Sequence, residues 1–176
     1  SADSRWLVTG SRDRTARVWD LRAPDIGARA VALAGHSKPI LAVAISPNSR
    51  YVATAGDDDL AIIWDLESRD PSAASRILRG HTDQITLAAF SPDNKWLVTA
   101  SADSTARAWD LTAPDPAQAF KILRGHEEPV LALAFMPDGN LLATGGFDTT
   151  TRLWNLDLPD PSASSVVLRA HDDQVL

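Results

Sequence analysis

Four histidines, His36, His81, His126 and His171, stand 45 residues apart along the chain, and four tryptophans, Trp19, Trp64, Trp109 and Trp154, keep the same interval. No insertion or deletion breaks either series. Gly35, Gly80 and Gly125 precede the first three histidines, with Ala170 before the fourth. Asp20, Asp65 and Asp110 follow the first three tryptophans, with Asn155 after the last. Aligning residues 46–90 with 91–135 gives 19 identities in 45 positions. A fixed period of this length means one supersecondary unit used repeatedly, each copy burying its apolar surface on its neighbours.

Inside a unit the hydrophobic pattern has the strand period of two. The runs Leu41–Ser46, Arg50–Gly56 and Leu60–Leu66 are short and rich in β-branched and aromatic residues, and a fourth, Ser75–Gly80, precedes the next histidine. The turn sequences SPNS and GDDD separate the first three, and the longer, proline-bearing ESRDPSAA follows the third. No segment has helical spacing. Four antiparallel strands per 45 residues is the arithmetic of a propeller blade. The small–large alternation in LAVAI and LALAF suits the narrow region near a propeller axis.

With Gly-His, a Ser-Pro-Asp-like turn, Thr, Asp and Trp-Asp recurring in order, the sequence resembles the WD-repeat β-propeller family over essentially its whole length. The resemblance implies an all-β chain of four blades, each of four antiparallel strands. The blades span 36–80, 81–125 and 126–170, and residues 1–35 form a partial blade.

It also implies a polar tetrad in each blade, and the chemistry supports it. A buried indole N–H needs an acceptor, which a threonine hydroxyl supplies while donating its own proton to an imidazole. The other imidazole N–H then suits a carboxylate. The sets are His36, Thr54, Asp58 and Trp64; His81, Thr99, Asp103 and Trp109; and His126, Thr144, Asp148 and Trp154. The fourth set is split between the chain ends, with Thr9, Asp13 and Trp19 at one and His171 at the other.

Hydroxyl, imidazole and carboxylate together also suggest a hydrolase triad. A catalytic set, however, occurs once, and a hydroxyl engaged by tryptophan is a poor nucleophile. Histidines on separate blades do not converge on one metal. Asp57, Asp58 and Asp59 read as a solvated turn, and neither GDDD nor GFDTT has phosphate-loop glycine spacing. The chain has no cysteine, which removes thiolate metal sites and cysteine nucleophiles. The expectation is therefore no catalytic residue, no metal and no cofactor. A net charge of −6 argues against nucleic-acid and membrane-surface partners, no apolar run reaches transmembrane length, and Ser1–Gly10 lacks a basic start followed by an apolar stretch. The expected location is the cytoplasm.

In the family, partners dock on the face bearing the Gly-His loops. The contact positions two residues after the histidine correspond to Lys38, Asp83, Glu128 and Asp173. Those five after it are Leu41, Thr86, Leu131 and Leu176, and those just before the tetrad aspartate are Arg12, Asp57, Ala102 and Phe147. Arg12 and Phe147 are the residue types that make interface hot spots. The opposite face carries loops such as Arg22–Ala28 and Thr112–Gln118, read as rigid spacers. The expected function is a non-enzymatic protein-interaction scaffold; the alternative is a structural, even engineered, half-propeller that self-assembles. On either reading two copies build one eight-bladed ring, with residues 171–176 of each closing the partial blade of the other. Three departures from the repeat stand out: Ala170, unfavourable if that position needs positive φ; Asn155; and Leu60, where other units have Thr15, Thr105 and Thr150.

Overall fold

The structure, a computed structural model, describes residues 1–27 and 30–176. Ala28, the last residue of the Arg22–Ala28 loop, lies outside the described residues. The first unit forms β1 (Trp6–Gly10), β2 (Thr15–Asp20) and β3 (Val31–Ala34). The second forms β4 (Ile40–Ile45), β5 (Tyr51–Gly56), β6 (Ala61–Asp65) and β7 (Arg76–Leu78). The third forms β8 (Ile85–Phe90), β9 (Trp96–Ser101), β10 (Ala106–Asp110) and β11 (Phe120–Leu123). The last forms β12 (Val130–Phe135), β13 (Leu141–Gly146), β14 (Thr150–Asn155) and β15 (Val166–Arg169).

Each sheet is an antiparallel meander in chain order. The sequence reading places the strands to within two residues, and the chain is the all-β, blade-built propeller it predicts. Among the described residues the first sheet has three strands; the positions one period before Ile40–Ile45 fall outside the sequence.

The strands β4, β8 and β12 lie side by side, so the first strands of the blades converge on one line. Each carries an irregularity that sequence patterning did not reveal. Register against the second strand shifts between Ile40 and Ala42, Ile85 and Leu87, and Val130 and Ala132. The unpaired residue at each bulge is Leu41, Thr86 or Leu131. A bulge bends its strand and re-aims the extra side chain.

The core lies in the seams between blades. Val18, Leu33, Val52, Ile62 and Trp64 fill the first seam; Ala55, Ile63, Leu78, Leu97 and Trp109 the second; and Val98, Leu123, Leu142 and Trp154 the third. The two terminal faces have no neighbour. Leu7 is 48% exposed, whereas its counterparts Val52, Leu97 and Leu142 are at 0%. On the opposite end Leu168 is 48% exposed, against 0–1% for Leu33, Leu78 and Leu123.

Candidate partner-binding face

The three complete polar sets tie the loop before each blade to its second and third strands. Trp64 Nε1 donates to Thr54 Oγ1 at 2.9 Å, and that hydroxyl lies 2.8 Å from His36 Nε2. His36 Nδ1 meets Asp58 at 2.9 Å, and Asp58 also accepts the Ser37 N–H at 2.7 Å. The next set repeats this, with Trp109 to Thr99 at 3.0 Å, Thr99 to His81 at 2.9 Å and His81 to Asp103 at 2.8 Å. In the last, Trp154 to Thr144 is 2.8 Å, Thr144 to His126 2.7 Å and His126 to Asp148 2.9 Å. The proton order is fixed by chemistry. Indole can only donate, so threonine donates onward to Nε2, which leaves the proton on Nδ1 for the carboxylate.

Burial alone pushes Asp148 up, yet its carboxyl is held down to about 2 by the Thr150 hydroxyl, the backbone N–H groups of Glu127 and Thr150, and His126. Asp103 is likewise held well below the usual carboxylate range against its burial, by His81 and Thr105. Burial moves His126 the other way, favouring neutral imidazole despite Asp148. Thr105 and Thr150 are thus further members of the sets, their hydroxyls 2.7 Å from Asp103 and Asp148. Their recurrence two residues after the aspartate was the available signal. Leu60 cannot make this bond, and Ser37 Oγ approaches Asp58 at 3.4 Å instead.

The fourth set remains split. Trp19 donates to Thr9 at 3.2 Å and Asp13 is bonded by Thr15, but among the described residues no histidine is hydrogen-bonded to them. Thr9 and His171 are both exposed. The backbone at Ala170, as at Gly35, does not take the positive φ found at Gly80 (144°) and Gly125 (155°), so the alanine carries no strain. At those two glycines a Cβ would collide with Arg107 and Arg152 respectively. Arg107 also donates to the Gly80 carbonyl at 2.7 Å, a brace the sequence did not suggest.

The loops and tight turns joined by these sets share one face. Lys38 Nζ bonds the Asp57 carbonyl at 2.9 Å and lies 4.0 Å from its carboxylate. The matching positions are Asp83 and Ala102, and Glu128 and Phe147; there the backbone bonds run to the residue after the acid, from Ala102 N–H to the Gln84 carbonyl at 3.0 Å and from Phe147 N–H to the Pro129 carbonyl at 2.9 Å. Phe147 is 54% exposed and Leu41 40%. Thr86 Oγ1 is buried with no partner among the described residues. Arg12 and Asp173 lie at opposite ends of the chain's blades, and Leu176 is exposed.

A family model described as "WD domain, G-beta repeat" matches residues 1–20, 28–65, 73–110 and 118–155, more than half of the chain. Over 46 residues the chain is 44% identical to a protein of Saccharomyces cerevisiae named "Target of rapamycin complex subunit LST8". That match covers 26% of this chain and 14% of the yeast protein, about one-seventh of its length.

Proposed function

The chain belongs to the WD-repeat family, and from that membership we propose that it is a non-enzymatic scaffold holding a protein partner on the face of the histidine loops. The observation that carries this reading is the exposure of Phe147 and Leu41 on that face. Large apolar side chains there, at positions set by bulges and tight turns, offer anchors of the kind that dominate protein interfaces. The same loops and turns carry Asp57, Asp59, Asp83, Glu127 and Glu128, which suit a protein partner and repel phosphate. The yeast relative is named as a subunit of a complex. Hydrolysis is disfavoured because Thr54, Thr99 and Thr144 are 0–1% exposed and bonded on both sides.

The test compares two variants of the immobilised chain for proteins retained from a cell lysate. Phe147→Asp with Glu128→Lys should lose them, whereas changes in Asp115–Gln118 should not. Greater loss from the loop changes would move the site to the opposite face. A hydrolase activity that disappeared in His81→Ala with the fold intact would overturn the non-enzymatic reading.

A second reading concerns assembly, and the split fourth set favours it. Two copies, each lending His171 to Thr9, Asp13 and Trp19 of the other, would form an eight-bladed ring and cover both terminal faces. Twofold dimers are the commonest closed assemblies. Light scattering should then give about twice the 18.9 kDa chain mass.

A further inference from the structure

We infer that Arg12 and Asp173 form a salt bridge between two copies of this chain, and that this pair selects a second copy as the occupant of the open edge of β1. The inference rests on the two-copy ring proposed above. Its ground is a positional equivalence visible inside one chain. Lys38, two residues after His36, reaches Asp57, the residue before the tetrad aspartate, as an ion pair at 4.0 Å. One period on, the equivalent positions hold Asp83 and Ala102, and two periods on, Glu128 and Phe147. Neither pair carries opposite charges. Three periods on, Asp173 stands where Lys38 stood, and the position corresponding to Asp57 is Arg12. Opposite charges reappear at this junction alone, with their signs reversed.

The backbone of the segment after Ala170 is already shaped for that junction. Val175 N–H donates to the Gly146 carbonyl at 3.1 Å, as Ile40 N–H donates to the Ser11 carbonyl at 3.1 Å. Val175 and Gly146 lie 135 residues, three full periods, beyond Ile40 and Ser11. The segment from His171 to Val175 is therefore seated on the last blade as His36 to Ile40 is seated on the first. Carried across the junction, the Gln174 carbonyl takes the Arg12 N–H, as Pro39 takes that of Asp57 at 2.9 Å. The Asp172 N–H takes the Asp13 carboxylate, as Ser37 takes Asp58 at 2.7 Å. His171 then completes the Thr9 and Asp13 bonds. The site is built from two copies and is incomplete in one. The pairing needs only residues 170–175 of one copy and 9–19 of the other.

Charge reversal tests it. Arg12→Asp alone places two carboxylates at each junction of a dimer, and Asp173→Arg alone places two cations. Each single variant should dimerise about tenfold or more weakly than the parent at low salt, an effect that salt screens. Mixing the two variants should restore the dimer, because a mixed pair has one parental junction and one reversed but complementary junction. Sedimentation or light scattering of each variant and of the mixture reads this directly, and circular dichroism checks that each single variant folds. A parent chain running as a monomer at every concentration would overturn both the ring and the pairing. A dimer indifferent to both swaps, or one not rescued by mixing, would leave the ring standing and overturn the pairing.

Discussion

Each tetrad threonine serves two partners at once, accepting from indole and donating to imidazole, so every proton in the set has one direction. That direction makes the sets sensitive to acid. The fold holds His126 neutral below its ordinary value of 6.5. The stability it contributes is therefore full above that value and declines as the pH falls below it. Asp148 contributes above the ordinary carboxyl value of 3.8, and that contribution is lost as the pH falls toward 2. Thermal stability should decline in two stages on acidification, the first below about 6.5 and the second below about 4. Thr150→Val removes one donor from Asp148 and brings its native value nearer 3.8, so the second stage should keep its onset but end at higher pH and remove less stability; an unchanged acid limb in tryptophan fluorescence would contradict the assignment. The polar members also differ in what their loss costs. Trp109→Ala should cost about 3–5 kcal/mol through the cavity it leaves. His81→Ala should cost about 1–3 kcal/mol by stranding Asp103 and Thr99. Denaturant melts of the two variants give the order.

The turns repeat as faithfully as the strands, but by conformation and not by residue type. Ser4, Ser49, Asn94 and Gly139 take φ of 55°, 60°, 62° and 79° in the turn between the first two strand positions of each unit. Arg14, Asp59, Ser104 and Thr149 take 73°, 62°, 65° and 63° in the next turn. Seven of these eight residues carry a side chain where glycine is at ease. Thr149, β-branched, is the least suited. Thr149→Gly should stabilise the chain by about 1 kcal/mol, the relief of left-handed strain less the extra freedom of the unfolded glycine, and a lowered melting temperature would refute this. Strand existence and order were legible in the sequence because alternation, turn residues and the period agreed. The tetrad partners were legible because they keep constant offsets from each histidine. The bulges at Leu41, Thr86 and Leu131 were not, since an unpaired residue leaves no mark on the apolar pattern. Nor was the Arg107 brace on Gly80: arginine recurs at this position as Arg17, Arg107 and Arg152, with Ile62 in the remaining unit, but strand alternation says nothing of which carbonyl a guanidinium reaches. The left-handed turns were hidden because residues as different as Arg14 and Thr149 occupy one backbone state.

At the scale of the molecule, stability comes from seams, since each blade buries one face on the blade before it and one on the blade after. The two terminal faces repeat the apolar positions of the seams yet leave Leu7 and Leu168 half exposed. Exposed apolar surface in this arrangement favours association. If association joins the last blade of one copy to the first blade of another, folding and binding are linked, and the melting temperature depends on concentration. Each tenfold dilution then removes about 1.4 kcal/mol of apparent stability from the dimer. Deleting residues 170–176 takes away His171 and Val175, which supply the junction, but leaves the three internal seams untouched. The shortened chain should lose the concentration dependence and show the mass of one chain. Trp19, which gains the protection of a completed set only in the dimer, should emit further to the red in the shortened chain than in the parent. Identical melting temperatures for both chains across a wide dilution series would show that the ends contribute nothing to each other.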